Sequence, residues 1–224
     1  MKKAGDIAAR MKPYSTRRNH FLSLLKYYVK ERDTVTINEV IRLASEQLTS
    51  PYEKQFFTLT AGRFAAINRD TILKEMYGKK AVAMQAFPPL SIMARSYMLL
   101  DRWSEAEKIL VGEIKKSPTD PTLYGYLGVA YARQQKKQEA ESIIRKLGEL
   151  DFEFLPGEKT YYQGKIKANL MEFDEALRYF TMAFDQGIRF LPNGTFHNDP
   201  DMVIMSAYPP YLDLIAQFRQ YKFE

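Results

Sequence analysis

Cysteine is absent from the 224 residues, and histidine occurs only as His20 and His197. Thiolate chemistry and disulfides are thereby excluded, and zinc fingers and nearly every histidine-based metal or acid–base site go with them. No apolar run approaches the roughly 18 residues that a membrane span requires. The densest stretches, Tyr97 to Leu100 and Met202 to Met205, are short. The basic start, Met1-Lys2-Lys3, leads into no apolar segment because Arg10, Lys12, Arg17 and Arg18 interrupt it, so no secretory signal is read there. No membrane insertion and a cytoplasmic location are the expectations, although an address or a neighbouring domain would be missed if the chain is part of a longer one. The glycine-rich phosphate cradles G-x-G-x-x-G and G-x-x-x-x-G-K-[ST] and the zinc helix H-E-x-x-H are all missing, and no cofactor is expected.

What is present suits an ordinary folded chain. Hydrophobic residues make up 46% and charged residues 27%, and a chain of this length buries roughly 70% of its unfolded surface, so its core needs no covalent or metal staple. The net charge of +6 is uneven: residues 1–86 hold 16 Lys and Arg against 8 Asp and Glu, whereas residues 87–224 hold 17 against 19. Such asymmetry can mark a nucleic-acid footprint, but the aromatic and glycine-rich signatures of that function are missing. A solvated basic helix face is the preferred reading, and nucleic acid is not the expected partner.

A repeat runs through the middle of the chain. Ala94 and Tyr97 recur 34 residues later as Gly128 and Tyr131, and Ala106 and Leu110 recur at the same offset as Ala140 and Ile144. A third copy follows after 36 residues, with Gly164, Ala176 and Phe180, and Phe173 there matches Trp103 in the first copy. Each copy reads as two helices, because Leu90, Met93, Ala94 and Tyr97, and then Ala106, Ile109, Leu110 and Ile114, keep apolar side chains on one helical face. Helix starts are expected at the capping box Ser104-Glu105-Ala106-Glu107, at Asp120-Pro121 and at Ser50-Pro51-Tyr52-Glu53. Small residues at 94, 128, 164, 106, 140 and 176 let antiparallel helices approach, and large aromatics fill the space around them.

These residues resemble the tetratricopeptide repeat, a 34-residue helix–turn–helix unit, best in Tyr124, Leu127, Gly128, Tyr131 and Ala140. The resemblance covers about residues 87–188. Glu113 departs from the family's small residue, and only Pro118 keeps the terminal proline, Phe152 and Ile188 standing in the later copies. An all-α fold is implied, a right-handed α-solenoid of helix–turn–helix repeats forming one continuous domain. Residues 1–86 would be degenerate hairpins, 87–188 three repeats, and 189–224 a C-terminal loop and capping helices. Upstream, four stripes fit the degenerate hairpins: Phe21, Leu24, Leu25 and Tyr28; Val40, Leu43, Ala44 and Leu48; Phe56, Phe57, Leu59 and Phe64; and Ile72, Met76 and Met84. Residues 1–12 read as the end of a further helix, either a cap or part of a longer array. The ending, Asp199-Pro200 and Pro209-Pro210 followed by Tyr211, Leu214, Ile215 and Phe218, resembles the tails that close repeat arrays in bacterial transcriptional regulators, cyclases and kinases.

No constellation for chemistry stands out. Glu172, Asp174 and Glu175 fall at a helix start, where carboxylates favour the macrodipole; His197 beside Asn198 and Asp199 reads as a loop or capping residue. Asn193-Gly194-Thr195 reads as a turn, and most of the 15 Tyr, 14 Phe and 10 Met as core. A non-catalytic scaffold binding a protein or peptide follows, with no metal and no enzyme activity. The resemblance places Arg95, Tyr126, Val129, Arg133, Tyr162, Lys165 and Asn169 in a concave groove, a basic and aromatic lining suited to an acidic ligand. Ser91 and Arg95 stand where some relatives clamp a chaperone's terminal carboxylate, so a co-chaperone role is not expected. Two alternatives stay open: a regulatory or sensor segment of a larger bacterial signalling or transcription-regulating protein, and a nucleic-acid-binding helical repeat using the basic N-terminal third.

Overall fold

In the computed structural model, residues 18–48, 52–84, 90–151, 155–188, 196 and 199–220 are described. All regular structure among them is helical. The chain divides into two compact units, Met1–Asp101 and Arg102–Glu224.

Unit 1 contains α1 (Arg18–Lys30), α2 (Thr34–Gln47), α3 (Glu53–Ile67), α4 (Thr71–Val82) and α5 (Ser91–Leu99). Helix α3 is central: α1, α2, α4 and α5 all pack against it. Its core joins Phe21, Leu25 and Val29 of α1 to Ile37, Val40 and Ala44 of α2, Phe57, Ala61 and Ala65 of α3, and Leu73 and Tyr77 of α4. Phe21 and Phe57 meet edge to face at 6.0 Å, the arrangement that aromatic quadrupoles favour. The fourth sequence stripe needs correction at Ile72, which is 68% exposed. Asp70 caps α4 by accepting from the Leu73 amide at 3.0 Å, and that register turns Leu73, Tyr77 and Ala81 inward instead.

Unit 2 contains α6 (Trp103–Lys116), α7 (Pro121–Arg133), α8 (Lys137–Glu149), α9 (Glu158–Asn169), α10 (Phe173–Asp185), a 3-10 helix (Pro200–Met205) and α11 (Pro209–Gln220). Helices α7 and α9 form its centre. Helix α6, α8 and α9 all pack on α7, while α8, α10 and the 3-10 helix pack on α9. Two glycines let α7 and α9 meet: a Cβ on Gly125 would stand 2.1 Å from the Tyr162 ring, and one on Gly128 would stand 2.2 Å from the Ile166 side chain. Gly128 therefore serves the approach of one helix pair to the next, whereas Gly164 faces Phe180 within its own pair. Ala106, Ala140 and Ala176 are fully buried.

One turn recurs between consecutive helices. Two residues past the ends of α1, α3, α5, α7 and α9, the chain takes a left-handed φ of 57° to 66°, at Arg32, Arg69, Asp101, Gln135 and Met171. The amide of each turn residue bonds back three residues, as Arg69 does to Ala66 and Gln135 to Ala132, both at 3.0 Å. At Asp33, Asp70, Lys136 and Glu172 the next amide reaches back five residues, which completes a Schellman motif and satisfies carbonyls that the helix end leaves open. Glycine usually takes that left-handed position, so its scarcity here hid the turn. The segments Arg32-Asp33-Thr34-Val35 and Arg69-Asp70-Thr71-Ile72 are two copies of it, 37 residues apart.

Caps agree only in part with the sequence reading. Asp120 accepts from the Thr122 amide at 2.8 Å with Pro121 in the first turn. The expected Ser104 capping box is not made. Because Asp101 has already turned the chain, α6 starts at Trp103, and the Ser104 hydroxyl donates to Gln134 Oε1 at 3.0 Å. Ser50 and Pro51 lie outside the described residues, as do residues 1–12, Phe152, Asn193-Gly194-Thr195, His197 and Asn198. The tail helix opened by Asp199 is a 3-10 helix that ends at Met205, and α11 buries Tyr211, Leu214 and Ile215.

The glycines provide a test of close approach. Gly125→Ala should cost about 1–3 kcal/mol through overpacking against Tyr162. Gly112 in α6 has open space around it, and Gly112→Ala should stabilise by about 0.5–1 kcal/mol because glycine is a poor helix former. Urea unfolding of the two variants should therefore shift in opposite directions.

Candidate interaction face

Six of the seven residues expected in a groove belong to unit 2, and five of them are buried: Tyr126 and Val129 on α7, and Tyr162, Lys165 and Asn169 on α9. Arg133, at the end of α7, is exposed. Arg95 belongs to α5 of unit 1 and is buried there.

Lys165 is the unusual member, being 1% exposed. A buried ammonium loses its proton unless anions hold it. Two carboxylates do so, Asp199 at 2.8 Å and Asp201 at 2.7 Å, both brought by the C-terminal segment. Burial alone would lower the Lys165 pKa, but Asp199 and Asp201 outweigh it and hold the amine above its ordinary range. The Tyr126 ring lies 5.0 Å from the ammonium and adds a cation–π contact. Asp199 also accepts from the Tyr161 hydroxyl at 3.2 Å and caps the 3-10 helix through the Asp201 amide at 3.1 Å. The Tyr161 hydroxyl in turn accepts from the Phe196 amide at 3.0 Å. Burial, then the Asp199 charge, raises the Tyr161 pKa, so its hydroxyl stays a donor. Around this pair Tyr161, Phe180, Phe196 and Tyr211 make an aromatic cluster with ring separations of 5.2 to 5.9 Å. The basic and aromatic positions thus do come together, around an acidic turn from the same chain.

The stripe remains open at its other end. The Arg133 guanidinium lies 5.6 Å from the Trp103 ring centroid. Beside it Glu107 accepts from Lys136 at 2.7 Å and from the Gln134 amide group at 2.8 Å. Desolvation would raise the Glu107 pKa, but these bonds bring it below the usual carboxylate value.

The acids Glu172 and Glu175 have a different task from capping. Together with Glu141 they surround the Lys167 ammonium, each at 2.7 Å, and Glu172 also meets Lys137 at 2.6 Å. Hydrogen bonds from Lys137 and Lys167 lower the Glu172 pKa. Asp174 stands apart and accepts from the Tyr208 hydroxyl. Sequence reasoning missed Asp199 and Asp201 as partners of Lys165, and Glu141 as a partner of Lys167. The only signal was the acidic Asp199-Pro200-Asp201 triplet in a tail otherwise poor in charge. Among the described residues no group of three His, Cys, Asp or Glu is arranged to hold a metal ion, and no helix is long and apolar enough to cross a membrane.

Two outcomes follow from these networks. Lys165→Met leaves two carboxylates facing a dry pocket and should cost about 3–5 kcal/mol, while adding Asp199→Asn and Asp201→Asn should restore much of that loss in urea unfolding. A depressed carboxylate pKa contributes stability above its unfolded value of about 4.3 and loses it as pH falls through the folded value. Glu172→Gln should therefore be less stable than the native chain at neutral pH, and the two melts should converge as pH falls below about 4. No family model matches the sequence, and no curated protein matches it either.

Proposed function

We propose that this chain is a non-catalytic interaction scaffold, a right-handed α-solenoid of tetratricopeptide-like hairpins that binds an acidic peptide or partner segment on the α7–α9 face. The observation that carries the reading is the coordination of Lys165 by Asp199 and Asp201. It supports a face chemically fit for carboxylates, whose inner part is closed by the chain's own acidic turn. Its outer end offers Arg133 on Trp103, and arginine and tryptophan are the side chains that most often dominate protein interfaces. The recurrent Schellman turn supports the repeat assignment. The tail supports the resemblance to repeat segments of bacterial regulators, since its Asp-Pro turn and Pro-aromatic helix pack in unit 2 as a closing layer would.

A nucleic-acid partner is less well supported by the basic N-terminal third. In unit 1, Arg18, Arg32, Arg42, Lys74 and Lys79 each lie against a carboxylate, so their charges are not free to follow a phosphate backbone.

The scaffold reading is tested by affinity capture from the host, followed by calorimetry with the recovered partner. Arg133→Glu should weaken binding by about tenfold or more, or about 1.4 kcal/mol, because a like charge then meets the partner's acids. Arg178→Glu, on an exposed position of α10, should bind as the native chain does. Equal affinity for both variants would overturn the α7–α9 assignment.

A further inference from the structure

Unit 1 holds a second site, which stands apart from the scaffold reading. Helices α2 and α4 both rest on α3, and between them lies a cavity of about 420 Å³. Helix α2 supplies Asn38, Ile41, Arg42, Ser45 and Glu46, a stripe at the i, i+3, i+4, i+7, i+8 spacing of one helical face. Lys54 and Thr58 come from the start of α3, and Tyr77, Lys80 and Met84 from α4 and the residues just after it. The volume falls within the few hundred Å³ usual for small-molecule pockets.

Its charges are unequal in kind. Glu46 is satisfied, since both its oxygens lie 2.7 Å from Arg42 Nη1, and the other edge of that guanidinium is taken by Glu39 at 2.7 and 2.8 Å. Lys54 and Lys80 have no carboxylate partner among the described residues. The Lys80 ammonium meets Asn38 Oδ1, at 3.4 Å, and the Tyr77 ring, 5.0 Å from its centroid. The Tyr77 hydroxyl donates to the same Asn38 oxygen at 3.4 Å, a distance beyond that of a well-formed bond. Arg42, Lys54 and Lys80 against Glu46 leave a surplus of two positive charges in the lining, or one when Glu39 behind Arg42 is included. Ile41, Met84 and the Tyr77 ring form the apolar part of the lining, and the Ser45 and Thr58 hydroxyls there donate to carbonyls of their own helices.

We propose that this cavity binds a small organic anion, a carboxylate or a phosphate ester on an apolar body. Lys54 and Lys80 receive the anionic group, Asn38 and the Tyr77 hydroxyl orient its polar atoms, and Ile41, Met84 and the Tyr77 ring cover the body. Lysines next to an apolar wall favour such a ligand over a neutral one, because the anion replaces water around ammonium groups that no carboxylate among the described residues serves.

The test uses the full chain and three probes that share one ring system: 2-naphthoate, 2-naphthyl phosphate and uncharged 2-naphthol, followed by calorimetry. At least one anion should bind at least tenfold more tightly than the naphthol, and which anion does so assigns the ligand's head group. Lys54→Gln combined with Lys80→Gln should abolish that preference while leaving the thermal melt nearly unchanged, since neither lysine holds an ion pair among the described residues. Lys79→Gln, whose side chain pairs with Glu75 away from the cavity lining, should leave binding intact. In the native chain, the Met84 and Ile41 methyl resonances should shift on titration with the bound anion. Equal binding of naphthol and anions, no binding of either anion, or methyl shifts confined to other regions would each overturn the proposal.

Discussion

A lysine ammonium removed from water must be given anions or give up its proton, and the organisation of unit 2 follows from how Lys165 meets that demand. Helix α9 does not supply the anions itself, because its one carboxylate, Glu158, stands seven residues before Lys165 at the helix start. They come from Asp199 and Asp201, which are also the residues that start the 3-10 helix. The same carboxylates that neutralise the lysine therefore hold the tail, and the tail in turn brings Phe196, Met202, Met205 and Tyr211 into the core. Buried ion pairs add little net stability when compared with apolar substitutes. Their effect here is one of specificity: this seating of the tail pairs Lys165 with both carboxylates.

Around that centre the fold repeats one local solution. A helix ends, the second residue after it turns left-handed, and the next helix begins four residues after the last residue of the first. Arginine, aspartate, glutamine and methionine occupy the turn at some cost in backbone strain, and after Arg32, Arg69, Gln135 and Met171 the bonds that close the Schellman motif offset it. The helices then stack through glycines and alanines, so that an aromatic ring of one pair fills the space left by an absent Cβ in the next, as Tyr162 does against Gly125.

The same rule of pairing separates the charges that the fold uses from those at the two proposed surfaces. Lys165, Lys167, Arg18 and Arg42 each have carboxylates within 3.3 Å, and these contacts account for their positions. Arg133, Lys54 and Lys80 have no such partner among the described residues. Two of these three lie beside an aromatic ring, where a cation is held in place yet stays available to an incoming anion. Both proposed binding surfaces rest on that distinction.

The chain's helical class was determined by its own periodicity. Apolar residues recur at helical spacing, the offsets of 34 and 36 residues are written in Ala106, Ala140 and Ala176, and Asp120-Pro121 caps a helix wherever it sits, because these effects depend on residues a turn or two apart. The upstream pairs were harder to see, since Arg32 and Arg69 occupy turn positions that glycine normally marks. Helix α9 was the least legible. Glu158-Lys159-Thr160-Tyr161-Tyr162-Gln163-Gly164-Lys165 reads as a half-solvated surface, and placing Tyr126, Tyr162 and Lys165 in an open groove was the consistent expectation. Only the tertiary structure could decide that the helix is buried, because the carboxylates that make its burial tolerable lie more than thirty residues away, and electrostatic pairing at that separation is settled by packing and leaves no period in the sequence.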